Sequence, residues 1–286
     1  MWASWVLVAL LSALPAIVWS VLTGSVPDWL QAAQLTAPVA LLVASAVVPG
    51  LRPLRDFAAI MGILLLLWQV VRLVDFIWMP LQQLFGSTAF DSRMQAEQSG
   101  KLLVALAVIG ALLAFGYRRR EFFLTLGSLT APIRPVRLLG FPHADSWRRF
   151  GLIWGGGIAG ALAIVQYVLV RPTGSDWLVI VPMVPSILFY AALNAFSEEM
   201  TYRAPMLATL EPAVGSTHAL WQAATLFGIA HYFGTPGGLG GAVLSVFMGY
   251  ILSKAMIETR GLFWPWLIHF LSDVVIFAFL ALALES

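Results

Sequence analysis

The sequence FSEEMTYR, residues 196 to 203, places two adjacent carboxylates and an arginine inside an otherwise apolar stretch of chain. A charged group inside a bilayer is costly unless it is paired, hydrated or used, so this cluster indicates a functional site within a membrane. Glu199 and Arg203 stand four residues apart, the spacing of an ion pair on one face of a helix. Glu198 points about 100° away from that face, and we predict that it is left unpaired.

The composition of the whole chain supports a bilayer as its solvent. Of the 286 residues, 60% are hydrophobic and 10% are charged, and the mean hydropathy is +0.88. Soluble domains average about 45 to 50% apolar and about 25% charged residues. We therefore predict an all-α fold, a polytopic transmembrane helical bundle. The chain has no cysteine, which excludes disulfides and thiolate metal sites.

Long apolar runs predict eight to nine membrane spans. They cover residues 2–22, 30–48, 57–78, 101–117, 151–170, 177–210, 217–233, 242–257 and 262–284. The more polar segment 79–100 is predicted to lie outside the hydrocarbon, and Arg72 and Asp75 are predicted to form an ion pair near the membrane interface. The sixth span can bring Glu198 beside the histidines of later spans only if its helix continues past Pro205.

One loop is rich in arginine and sets the predicted topology. Between residues 118 and 150 it carries Arg118, Arg119, Arg120, Arg134, Arg137, Arg148 and Arg149. The positive-inside rule predicts that this loop and the amino terminus are cytoplasmic, so the pI of about 9.2 reflects topology and not a nucleic-acid partner. Residues 121–129 are predicted to form a short amphipathic helix on the membrane surface.

We divide the chain into residues 1–150, the N-terminal transmembrane helices with the basic loop, and residues 151–286, a helical core that carries the chemistry. Two further polar motifs lie in that core, and both have helical spacing. Phe227 precedes His231 by four residues, and His269 precedes Asp273 by four, so each pair shares a helix face. His143 and His218 lie in a loop and at a span entry, and we assign them no role.

The three motifs together resemble a known family. They read Glu198-Glu199-x-x-x-Arg203, Phe227-x-x-x-His231 and His269-x-x-x-Asp273. Their order resembles the CPBP family, the CAAX prenyl protease and bacteriocin-processing (Abi) intramembrane endopeptidases, over about residues 180–280.

The resemblance implies a glutamic intramembrane endopeptidase without a cofactor. In such an enzyme Glu198 and His231 would activate a water molecule, and His269 with its i+4 partner would stabilise the oxyanion. Glu199, Arg203 and Phe227 would support these groups. The implied partners are the lipid bilayer and a membrane-associated protein or peptide substrate, whether prenylated or not. We predict a multi-pass protein of a bacterial inner membrane.

The last residue of the third motif departs from the family pattern. Eukaryotic CAAX proteases carry asparagine where this chain has Asp273, and an ionised carboxylate cannot donate a hydrogen bond to an oxyanion. Asp273 is therefore either protonated or an acceptor that orients His269, and we favour the second.

Other functions remain open from the residues alone. Glu198, His231 and His269 are a legitimate zinc set, although the His-Glu-x-x-His helix signature is absent. The Gly-x-Ser and Gly-x-Gly-Asp contexts of serine and aspartyl intramembrane proteases are also absent. A non-catalytic membrane protein, such as a bacteriocin immunity protein, scaffold or transporter, could use the same charges for packing or proton transfer. The confinement of the charges to one site favours a protease.

Overall fold

The computed structural model describes residues 1–72, 84–234 and 237–285, and their fold is almost entirely helical. The helices of these residues are α1 (Trp2–Leu11), α2 (Leu14–Thr23), α3 (Trp29–Gln34), α4 (Thr36–Val47), α5 (Arg55–Arg72), α6 (Ala89–Ala114), α7 (Trp147–Val170), α8 (Gly174–Ile180), α9 (Val184–Glu198), α10 (Ala204–Val214), α11 (Ser216–Ala230), α12 (Gly238–Thr259) and α13 (Phe263–Glu285). Two short strands, β1 (Pro132–Ile133) and β2 (Asp145–Ser146), pair antiparallel within the arginine-rich loop. The predicted all-α, multi-pass bundle is confirmed.

Seven helical segments among the described residues are long and apolar enough to cross a membrane. An eighth results if α1 and α2, which meet at 53°, count as one bent span. The predicted span over residues 217–233 corresponds to α11, which has 15 residues and ends in a short 3-10 turn at His231–Phe233. At 1.5 Å per residue this helix is about 22 Å long, shorter than a hydrocarbon core of about 30 Å. It therefore does not qualify as a separate span.

The sixth predicted span continues past Pro205. This was the condition for Glu198 to lie beside the histidines of later spans. Residues Gly174–Val214 form one candidate span of 41 residues. Within it, α9 and α10 are joined by a π-helical turn at Glu199–Arg203, in which the amide of Ala204 donates to the carbonyl of Glu199, five residues back. Pro205 then lies in the first turn of α10, where its missing amide hydrogen does little harm.

The polar segment before the fourth span is partly helical, and the candidate span there begins at Ala89 and not at Lys101 as predicted. α6 begins at Ala89, and the Thr88 side chain caps it by accepting a hydrogen bond from the amide of Asp91. Asp91, Gln95 and Gln98 are buried against the bundle. Polar residues can therefore lie inside this helix because they face protein and not lipid. Residues 79–83 of that segment, together with Asp75 of the predicted Arg72–Asp75 pair, lie outside the described residues.

The predicted surface helix over residues 121–129 is wrong. The chain forms turns there, and the rings of Phe122 and Phe123 are fully buried. The segment packs on the connection between α12 and α13, where the carbonyl of Thr259 accepts from the amide of Ser128 at 2.8 Å. Gly127 has a φ of +73°, and a Cβ there would lie 2.6 Å from the carbonyl oxygen of Thr259. The apolar residues of this segment thus anchor the loop to the bundle.

Three clusters of buried apolar side chains hold the bundle together. One joins α1, α4 and α5 to α6, α10, α11 and α12. A second joins the beginning of α6 to α9 and the later part of α13. The third joins the arginine-rich loop and α7 to α12 and α13. The polar motifs of the sequence lie at the end of α9 and in the turn that follows it, at the end of α11 and in the 3-10 turn that follows it, and on α13.

Candidate active site

A cavity of about 660 Å³ lies between α6, α7, α9, α11, α12 and α13, and its wall contains residues of all three polar motifs. Glu198, His231, His269, Asp273 and Phe227 all line it. Most of the remaining wall is apolar. The structure therefore brings together the four residues that were predicted to be catalytic, although they come from three separate helical segments.

Glu198 is paired, which corrects the prediction that it has no partner. The Lys101 ammonium donates to Glu198 Oε1 at 2.9 Å. The second carboxylate oxygen, Oε2, lies 3.6 Å from Nε2 of His269. Lys101 stands 97 residues earlier in the chain, on α6, so no local sequence pattern could have revealed the contact.

Lys101 also binds two other side chains. It lies 3.0 Å from Glu97 Oε1, one helical turn earlier, and donates to Asn194 Oδ1 at 2.8 Å. Asn194 precedes Glu198 by four residues, so the two share a face of α9. Lys101 and Asn194 were both missed by sequence analysis. The only feature of the sequence that could have identified them is that each is a polar residue within a predicted apolar span.

Glu199 is held by the predicted ion pair with Arg203, which is confirmed. Both side chains are almost completely buried. Nε of Arg203 also donates to Ser253 Oγ at 3.2 Å, and its guanidinium lies 4.7 Å from the ring centre of Phe227. A cation over an aromatic face is stabilised by the ring quadrupole, so Phe227 supports Arg203.

The same Glu199 also orients His269. Nδ1 of His269 lies 2.9 Å from Glu199 Oε1. Because an ionised carboxylate can only accept a hydrogen bond, the proton must be on Nδ1. Nε2 then faces the cavity, 3.6 Å from both Glu198 Oε2 and Asp273 Oδ2.

Asp273 does not form the predicted orienting hydrogen bond with His269. Their separation of 3.6 Å exceeds a normal hydrogen bond. Instead, Asp273 Oδ2 accepts from Nδ2 of Asn194 at 2.9 Å. The orienting acceptor for His269 is Glu199, and Asp273 contributes charge on the opposite side of the ring.

His231 has its outer nitrogen available. Nδ1 lies 2.9 Å from the carbonyl oxygen of Phe227, and because that oxygen can only accept, Nδ1 carries the proton. Nε2 has no hydrogen-bond partner among the residues that the structure describes. The Phe227 ring packs 4.4 Å from the His231 ring and 5.8 Å from the His269 ring, measured between centroids. Phe227 therefore spaces the two imidazoles.

Close contact between α11 and α12 places His231 in the wall. A Cβ at Gly228 would lie 2.2 Å from Cγ2 and 2.6 Å from the amide nitrogen of Val246. Only glycine allows this approach, which explains the glycine that follows Phe227. His218 lies at the start of α11, where it accepts a long hydrogen bond of 3.5 Å from Trp5, and His143 lies in the arginine-rich loop.

The arrangement can activate water and stabilise negative charge. Glu198 supplies a carboxylate, His231 a free imidazole nitrogen, and His269 a second imidazole that is fixed from behind. Within residues 1–72, 84–234 and 237–285, no three His, Asp or Glu side chains are grouped as a metal site.

Comparison with known proteins bears on the same region of the chain. A search of curated proteins and a search of solved structures each gave no match. The family model described as type II CAAX prenyl endopeptidase Rce1-like matches residues 180–275, a segment that includes all three motifs. This match over residues 180–275 confirms the resemblance to the CAAX prenyl endopeptidase family that the three motifs indicated.

Proposed function

We propose that this protein is an intramembrane endopeptidase that hydrolyses a peptide bond in or near a membrane-associated segment of its substrate. The observation that carries the proposal is the meeting of Glu198, His231 and His269 in the wall of one cavity within a membrane-spanning bundle. The family match supports a CAAX-type intramembrane endopeptidase in general.

Glu198 and His231 act on the attacking water. Nε2 of His231 has a lone pair directed to the cavity, and the Glu198 carboxylate accepts from the other side. The water oxygen attacks the peptide carbonyl carbon while its proton passes to one of these bases. The same proton is then given to the leaving nitrogen, and the C–N bond breaks to give a carboxylic acid and an amine. The acid then loses the second proton of the water to the amine or to solvent and becomes a carboxylate.

His269 stabilises the oxyanion. Nδ1 of His269 is bonded to Glu199. When both ring nitrogens carry protons, Nε2 donates a hydrogen bond to the oxyanion. Three carboxylates, those of Glu198, Glu199 and Asp273, surround the ring, so an imidazolium there is paired and not isolated. A donor fixed before the reaction begins is the most effective way to stabilise a tetrahedral intermediate.

We place the protein in a bacterial inner membrane with its amino terminus and the loop 118–150 in the cytoplasm, because arginine-rich loops are retained on that side. The substrate is a membrane-associated protein or peptide, and the apolar cavity wall is suited to an apolar segment beside the scissile bond.

The test is cleavage of a reconstituted library of membrane-anchored peptides, some of them prenylated, by the wild type, Glu198→Ala and Glu121→Ala. Glu121 is an exposed glutamate of the arginine-rich loop and serves as the matched control. We expect cleavage by the wild type and Glu121→Ala only. Equal cleavage by all three proteins, or none by any of them, would refute the proposed reaction.

A further inference from the structure

One wall of the cavity is polar along a single stripe of α6. Arg93, Glu97 and Lys101 follow one another at intervals of four residues and all line the cavity. Residues at this spacing lie above one another on a helix face. Over eight residues the stripe extends about 12 Å along the helix axis, and it ends where Lys101 contacts Glu198.

Exposure falls steadily along the stripe. Arg93, in the second turn of α6, is exposed. The side chain of Glu97 is 41% exposed, that of Lys101 20% and that of Glu198 12%. The stripe therefore leads inward from the end of the bundle to the candidate base.

The charged side chains of this stripe are poorly suited to contact with lipid hydrocarbon. A charged side chain facing hydrocarbon is costly, and such groups line water-filled cavities in membrane proteins. Arg93 has no hydrogen-bond or ion-pair partner within the described ranges, and a guanidinium without a protein partner is suited to a water-filled surface. Other faces of the same helix carry exposed leucines instead, including Leu103 at 43% and Leu106 at 52%.

The stripe opens on the side of the bundle opposite the arginine-rich loop. α6 runs toward that loop, which follows Ala114, so Arg93 lies near the other end of the helix. The amide of Phe90 donates to Glu285 Oε1 at the end of α13, a helix that starts beside the loop and runs away from it.

We infer that the stripe formed by Arg93, Glu97 and Lys101 is a water inlet, which supplies the site from the face opposite the arginine-rich loop. This inference rests on the proposed function, because only a hydrolase needs a supply of water at this site. Hydrolysis consumes one water molecule for each bond that is cleaved. Lys101 forms the inner end of the inlet. Its ammonium binds Glu198 on one side and Glu97 on the other, so water that reaches Lys101 is within reach of the base.

The absence of cysteine from the chain allows a direct test by labelling with a membrane-impermeant thiol reagent. Single cysteines replace Arg93, Glu97 and Lys101 in the full-length protein. Leu103→Cys is the matched control, because Leu103 lies only about 3 Å deeper along the helix than Lys101 and is at least as exposed in the bundle. Arg119→Cys marks the loop face, and Ser175→Cys, just beyond the end of α7, marks the opposite face.

We expect the three inlet cysteines to react in the vesicle orientation that exposes Ser175→Cys. Leu103→Cys should react about 100-fold more slowly, because a thiol in an apolar environment does not form the reactive thiolate. If Lys101→Cys does not fold, as judged by gel filtration, Arg93→Cys and Glu97→Cys decide the question. Reaction as slow as that of Leu103→Cys, or reaction only from the Arg119→Cys face, would overturn the inference. Labelling requires no cleavage, so this test can fail or succeed independently of the protease assay.

Discussion

The two adjacent glutamates of the first motif lie in opposite environments. Glu198 faces a cavity, contacts Lys101 and retains some exposure, whereas Glu199 lies completely buried behind the site and binds both Arg203 and His269. A single step along a helix therefore separates a group that can react from a group that holds others in place. The difference shows that position relative to the cavity, and not residue type, decides which carboxylate is available for chemistry.

The strongest expected contrast is in activity. Glu198→Gln should lower kcat/KM by about 10² to 10⁴, because a base that accepts a proton in the transition state contributes on that scale. Its stability should change little, since Lys101 keeps Glu97 as a partner. Peptide cleavage and thermal unfolding measured on the same preparation check both expectations. An active Glu198→Gln protein would remove Glu198 from the mechanism.

The opposite pattern is expected for the neighbouring residue. Glu199→Gln should cost about 3 to 5 kcal/mol of stability, because it leaves the buried charge of Arg203 uncompensated. Thermal unfolding in detergent measures the loss. The double variant Glu199→Gln/Arg203→Met should lose less stability than the sum of the two single losses, because it leaves neither charge of the pair in place. Strict additivity of the two losses would contradict the pairing.

Asp273 tests whether charge on the cavity side of His269 matters. Asp273→Asn keeps an oxygen that can accept from Asn194 but removes a negative charge near the ring. We expect activity to fall by about 10-fold to 100-fold, the range found for groups that act through a neighbouring residue. The measurement is kcat with a cleavable peptide. A variant that is as active as the wild type would instead indicate direct donation to the oxyanion.

Lys101 tests whether Glu198 has to be held in position by a cation. Lys101→Met should lower kcat on the order of 10-fold with little change in KM, because Glu198 loses the contact that fixes its position. Lys101→Arg keeps the charge and should recover part of this loss. Steady-state kinetics on the three proteins separates the two parameters. A pure increase in KM would assign Lys101 to substrate binding.

The smallest expected effect concerns metal. Prolonged chelation should leave activity within about twofold of the untreated protein, because chelators inactivate only proteins that depend on the metal they remove. The measurement is cleavage before and after dialysis against a chelator, together with the zinc content of the protein. Loss of activity that zinc restores would make Glu198, His231 and His269 ligands.

Local spacing was the part of the site that the sequence could predict. Glu199 and Arg203 begin and end one π-helical turn, and their separation of four residues was enough to predict the pair. The acceptor for His269 comes from 70 residues away, and the cation for Glu198 from 97 residues away. Such contacts depend on how helices pack, and no helical period describes them.

The extent of helices was predicted less well where polar residues face protein. A hydropathy profile treats Asp91, Gln95 and Gln98 as extramembrane, but a buried face of α6 accommodates them. The reverse error occurred at residues 121–129, where apolar residues indicated a membrane-surface helix although they pack on the α12–α13 connection. In both cases the pattern separated polar from apolar residues correctly, but it could not show that these side chains contact other parts of the protein.

The π-helical turn at Glu199–Arg203 makes the site sensitive to chain length as well as to residue identity. The hydrogen bond of this turn spans five residues, one more than in an α-helix. The extra residue rotates α10 relative to α9 by about 100°, compared with an uninterrupted α-helix. Removing one residue from this turn would retain every polar side chain of the motif and yet rotate Asn194 and Glu198 away from the cavity, or Arg203 away from Phe227. A deletion here is therefore equivalent to losing one half of the site, even though no catalytic residue is missing.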